Sequence, residues 1–154
     1  MRLGREHWVE AAMAALTDGG IDAVRVETVA KQLGVTKGSF YHHFENRRVL
    51  HLAMLETWEQ LGTHAIIDLV EQEQTPESRL RNLVQVTIDT DPESDAAEAA
   101  IRSWAATDPV AAEVAERVDH RRIEYVVGLL VDYGMERRQA QRRANLLYLS
   151  LIHI

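Results

Sequence analysis

The sequence predicts an all-α protein in two parts. A three-helix part with a helix-turn-helix covers residues 1–48, and a second helical part covers 49–154. Three observations predict the fold class. Apolar residues recur at three- and four-residue steps along most of the chain, the period of a helix with one buried face. No stretch alternates with the two-residue period of a strand. The breaks fall at residues that end or start helices: Gly19-Gly20, Gly34, Gln74-Thr75-Pro76, Asp91-Pro92, Asp108-Pro109 and Tyr133-Gly134.

The first helix is expected over residues 4–17, with Trp8, Ala12, Ala15 and Leu16 inward. A short second helix follows, its stripe Val26, Val29, Ala30 and Leu33. Gly34 suits the left-handed position just past a helix end, Val35 drops into the core, and Thr36 is a good N-cap for a third helix over 37–43. Helix, tight turn, helix is the arrangement whose second member enters the major groove of DNA.

That third helix divides by face. Phe40 and Phe44, four apart, should pack inward. Lys37, Ser39, Tyr41, His42 and His43 are left to point elsewhere, and all five can donate hydrogen bonds to phosphates or base edges. His43 has the alternative of packing under the turn. Lys37 stands in the first turn of its helix, and Arg47 and Arg48 open the next one after Asn46, its expected N-cap. Cations there oppose the helix dipole. Local rules broken together suggest a site, here two helix starts that clamp a phosphate backbone. A metal site at His42, His43 and Glu45 is disfavoured, because adjacent helical residues diverge in direction.

The stretch Gly20, Val29-Ala30, Leu33-Gly34-Val35-Thr36, Lys37-Gly38-Ser39-Phe40-Tyr41, His43-Phe44, Arg47 and Leu50 resembles the DNA-binding domain of TetR-type transcriptional regulators. Arg25 stands where that family usually has Thr, and Arg47 where it has Lys. The first departure leaves the cap of the second helix open; the second keeps the charge. The resemblance implies a dimeric, all-helical repressor that binds a double-stranded DNA operator and senses a small-molecule inducer. Thr36, Lys37, Tyr41 and Arg47 are the expected phosphate contacts. Ser39 and His42 are expected at base edges, with Gly38 allowing close approach.

Net charge is −7, unusual for a DNA binder, but the distribution is uneven. Residues 25–48 hold five cations against two anions, a local +3, whereas the chain from residue 61 is a net −6. The field at the contact face matters more than the total. There is no cysteine, which removes disulfides, thiolate metal sites and cysteine nucleophiles. No apolar run approaches a membrane helix and no signal peptide is evident, so a cytoplasmic protein is expected. The absence of a Gly-rich phosphate loop, a nucleophile elbow and a zinc-protease helix argues against an enzyme, and no cofactor is expected.

Beyond the head, a long fourth helix is expected over 47–73, with Leu50, Met54, Trp58, Leu61, Ala65 and Leu69 inward. It would carry any tilt of the helical domain to the reading head. A fifth helix should bury Leu80, Leu83, Val84, Thr87 and Ile88 and end at Asp91-Pro92. A sixth spans 95–107 around Trp104. A seventh starts with Asp108 as cap and Pro109 in its first turn, and its stripe is Val114, Val118, Tyr125 and Leu129. The eighth begins near Glu136, with Ala140, Ala144, Leu147 and Leu151.

Trp58, His64, Trp104 and Tyr125 are candidates for a ligand cavity between bundle helices, with plain core packing as the alternative for each. Arg121 and Arg122 are simplest as surface residues paired to Asp119 and Glu124; a buried arginine reaching an acidic ligand is the other reading. The chain stops inside its last helix, one helix short of what the resemblance implies. Residues 149–154 also match one frame of a transposon-end adapter used in DNA library preparation, so the natural gene is expected to continue; a naturally short or trimmed protein is the alternative. Two rival functions stay open: a helical small-molecule carrier or enzyme with an incidental helix-turn-helix, and a protein-interaction module.

Overall fold

A computed structural model describes residues 3–152, the side chains of 151 and 152 excepted. Nine α-helices follow in order: α1 Arg5–Gly19, α2 Val26–Gln32, α3 Lys37–Phe40, α4 Arg47–Glu59, α5 Ala65–Glu71, α6 Pro76–Ile88, α7 Pro92–Ala105, α8 Pro109–Asp132 and α9 Arg137–Ile152. A 3₁₀ turn, Ile21–Ala23, precedes α2, and a π turn, Gln60–His64, joins α4 to α5. Among the described residues there is no strand, and no helix is long and apolar enough to cross a membrane. Of the tail 149–154, residues 153 and 154 lie outside the described residues.

The helices pack as two units. One holds the residues up to Gln60 together with Asp91–Ala115; the other holds Leu61–Thr90 and the residues from Glu116 onward. This packing line is of a different kind from the functional division expected at 48/49.

In the first unit α1 lies against α2, α4 and α7. Trp8, Ala12, Ala15 and Leu16 of α1 are buried as expected, with Phe40, Phe44, Leu50, Met54 and Ile101. Gly20, at φ 72°, ends α1 with its N–H on the Leu16 carbonyl at 2.8 Å. Helix α7 starts earlier than expected. Asp91 does not close the preceding helix but caps α7, accepting from the Ser94 N–H at 2.9 Å, and Pro92 occupies the first turn where its missing N–H costs nothing.

In the second unit α5 packs on α6, and Val127, Leu130, Ala140 and Ala144 form the buried centre of the α8 and α9 pair. Three expected stripes are corrected here. After Trp58, burial falls on Thr63 and Val70 rather than on Leu61, Ala65 and Leu69, which are exposed. The π turn inserts one residue into the helical count, so the inward face advances by one position. On α6, Val84 and Ile88 are exposed, because its apolar stripe is wider than the neighbouring helices cover. On α9 the inward position is Tyr148, not Leu147, in the four-residue step from Ala140 and Ala144; the side chain of Leu151 lies outside the described residues.

Candidate nucleic-acid interface

Gly34 makes the turn, at φ 69°, in the left-handed region that a residue with a Cβ enters only at a cost. Its N–H reaches the Lys31 carbonyl, and the Val35 N–H reaches Ala30 at 2.9 Å. Thr36 has the extended backbone of an N-cap, φ −79° and ψ 152°, but its hydroxyl makes no capping bond. Regular helix covers Lys37–Phe40, shorter than the expected 37–43. Beyond it the His42 and His43 N–H groups bond three residues back, to Ser39 and Phe40, so the segment tightens.

Two phenylalanines fix which side of this segment faces out. Phe40 is fully buried, edge-on to Trp8 at 5.4 Å and stacked on Phe44 at 5.4 Å. Arg5 of α1 closes the far end: its guanidinium sits 4.3 Å from the Phe44 ring centre, and its Nη1 donates to the His43 carbonyl at 3.0 Å. With both rings inward, Thr36, Lys37, Gly38, Tyr41, His42 and Arg47 are exposed and Ser39 is half-buried. All seven expected contact residues therefore lie on one short segment with their outer side open. His43 instead tilts half-buried against Trp8, 6.4 Å between ring centres, in keeping with its packing alternative.

Two further observations bear on this face. Gly38 is not required by internal crowding, since an added Cβ would meet only Thr36 Oγ1 at 3.7 Å, an ordinary contact, and its φ is not positive. Asn46 caps α4 as expected, its Oδ1 accepting from the Val49 N–H at 3.1 Å, and so sets Arg47 and Arg48 in the exposed first turn.

The charges are not all independent. Lys37 Nζ donates to Glu27 of α2, an ion pair that leaves both side chains more than half exposed. The Lys37 hydrogen bond holds the Glu27 carboxyl below its ordinary value, and Glu27 raises the Lys37 ammonium in turn. Arg25, at the N-cap position of α2, makes no side-chain cap; its Nε donates to the Asp22 carbonyl at 3.0 Å. Sequence reasoning missed Glu27 and Arg5. Both partnerships cross between helices, and spacing within a helix carries no signal of them.

The expected ligand residues fall into both packing units. Trp58 and Trp104 are buried in the first. Trp58 Nε1 donates to Glu98 Oε2 at 2.8 Å, and Trp104 stands edge-on to His51 at 5.1 Å. His64 and Tyr125 belong to the second, where the Tyr125 hydroxyl donates to Glu71 Oε1 at 2.8 Å. Trp104 lines a cleft of about 190 Å³ with His51, Leu52, Asp108 and Val110. That is smaller than the ~300 Å³ at which drug-sized ligand sites begin. Arg122 reaches a partner beyond its own helix. It is half-buried and its Nε donates to Thr63 Oγ1 at 2.9 Å, while Glu124 is taken by Arg137 at 3.0 Å.

Residues 9–54, which enclose the whole turn and both phenylalanines, match the family of bacterial regulatory proteins described as the tetR family. Over these residues the chain is similar to TetR-family regulators. It is 31% identical over 104 residues to the HTH-type transcriptional regulator BetI of Pectobacterium carotovorum, an alignment covering 66% of this chain and 52% of that protein. It is 33% identical over 81 residues to the tetracycline repressor protein class D of Escherichia coli, covering 53% of this chain and 36% of that one. The chain thus spans about half the length of the BetI relatives it matches. In fold it is similar to a transcriptional regulator from Rhodococcus sp. Rha1, with a TM-score of 0.78, 23% identity, and 98% of this chain and 81% of that one covered. It is also similar to the ketosteroid transcriptional regulator KstR2 of Mycobacterium tuberculosis, with a TM-score of 0.69, 19% identity, and 96% and 81% covered. These likenesses bear out the all-helical TetR-type architecture that the sequence predicts.

Proposed function

We propose that this protein is a DNA-binding transcriptional regulator: a ligand-responsive repressor that binds a near-palindromic operator as a homodimer and catalyses no reaction. The observation that carries the reading is the open face of residues 36–47, fixed outward by the buried Phe40 and Phe44. Thr36, Lys37, Tyr41 and Arg47 contact phosphates and set register; Ser39 and His42 read base edges, and Gly38 lets the backbone come close. Two such segments in successive major grooves stand about 34 Å apart. Exposed Leu146 and Leu147 on α9 support association with a second copy.

Residues 1–48 act as the reading head and 49–154 as the sensing and dimerising part. The residues proposed for inducer contact are Trp58 and Trp104 in the first unit and His64 and Tyr125 in the second, and the inducer acts by binding the DNA-free state more tightly than the DNA-bound one. The protein works in the cytoplasm, where its operator is.

Mobility shift of duplexes from the region upstream of its own gene tests the reading. Binding should weaken steeply with salt, and Arg47→Ala should flatten the logarithmic slope by about one unit, as expected for one lost phosphate contact. Binding of no duplex, or binding without a salt slope, contradicts it.

A further inference from the structure

Lys37 stands at the start of the proposed DNA-facing segment, yet its ammonium is already bound within the protein, to Glu27. Glu27 is 63% exposed and Lys37 53%, so the pair stands in solvent on the same side as the proposed contacts. An ion pair this open contributes little to folding. Its effect is on the charge that the face presents. A lysine paired to a carboxylate keeps its donors but adds no net charge to the field that DNA meets.

We infer that Glu27 is a charge brake on the reading head: it neutralises Lys37, so that this lysine adds nothing to sequence-independent attraction and serves as a directed donor when its ammonium passes from the carboxylate to a phosphate. This inference rests on the DNA-binding reading above and deepens it. Counterion release follows the net charge brought to the duplex. Whether the ammonium stays on Glu27 or moves to a phosphate, the two residues together bring none. The remaining cations of the segment, Arg25, Lys31, Arg47 and Arg48, supply the electrostatic affinity against Glu45 alone. Both partners stay ionised near neutral pH, because each stabilises the charged form of the other. The Lys37–Glu27 pair therefore adds no net charge where Arg47 adds one, although both lie on one exposed face.

The test compares the full-length wild-type chain with Glu27→Gln, Lys37→Met and the double variant. Each is titrated between 50 and 200 mM salt on two duplexes: one recovered from a random-sequence pool by binding to the wild type, and one unrelated duplex of equal length. Thermal unfolding of each variant confirms that it is folded. Glu27→Gln should steepen the slope by about one unit on both duplexes, an additional roughly three- to fourfold loss of affinity over that salt range. Lys37→Met alone leaves Glu27 as an unpaired anion and should flatten the slope by about one unit, and the double variant, with neither charge, should return to the wild-type slope. A Glu27→Gln slope equal to the wild type, or a double variant whose slope stays a full unit away from the wild type, overturns the brake while the steep wild-type slope keeps the DNA reading. If wild type and variants bind neither duplex, both fall.

Discussion

Gly38 is where stability and function pull apart most plainly. Glycine within a helix costs roughly 0.5–1 kcal/mol relative to alanine. Nothing inside this protein requires it, since the added methyl would make only an ordinary contact with Thr36. Gly38→Ala should therefore raise the unfolding free energy by roughly that amount in urea titration while weakening binding to DNA; equal or tighter binding would remove Gly38 from the contact face. His51 gives a second residue-scale expectation. Its Nε2 is buried without a hydrogen-bond partner, and burial first, then Arg47, lower its pKa from 6.5, with Asp108 opposing. The unfolded chain thus binds the extra proton more readily. The stability that neutral His51 provides is complete above pH 6.5 and is lost as pH falls below it toward the lower folded value. Urea unfolding at pH 7.5 and 5.5 should show a larger drop for wild type than for His51→Leu. At this scale the sequence is informative where the signal is local: Phe40, Phe44 and Trp8 are legible from spacing and size. Glu27 on Lys37, Arg5 on Phe44 and Arg122 on Thr63 are not, because each joins residues that only the tertiary fold brings together.

At the scale of the element, two caps that look alike in sequence behave differently. Asn46 makes its capping bond to Val49, whereas Thr36 has cap geometry without the bond. Asn46→Ala should cost about 1 kcal/mol, and Thr36→Ala a few tenths at most, both read from chemical denaturation. An equal loss at the two sites would mean that the Thr36 hydroxyl does cap α3. The presence of most helices was legible because their apolar stripes are long and Gly, Pro and Asp punctuate them. Their phase was less so. The inward face expected through Leu61, Ala65 and Leu69 fails because a π turn adds a residue at Gln60–His64, and no residue type announces such a turn. Asp91-Pro92 was legible as a break but not as a start, since Pro serves both after one helix and in the first turn of the next.

For the whole molecule, the TetR likeness in sequence rests on the head, residues 9–54, while the likeness in fold to solved regulators extends over nearly the whole chain. The uneven charge fits a protein whose acidic body directs a basic face toward DNA. What the remainder senses is less legible, because ligand chemistry follows the shape of a cavity rather than spacing along a helix. The central claim is sequence-specific DNA recognition by the segment 36–47. Its most direct measurement is selection of duplexes from a random-sequence pool by the full-length chain, followed by sequencing. The account predicts enrichment of a shared motif, lost when Ser39 and His42 are both replaced by alanine. A recovered pool indistinguishable from the input would contradict it.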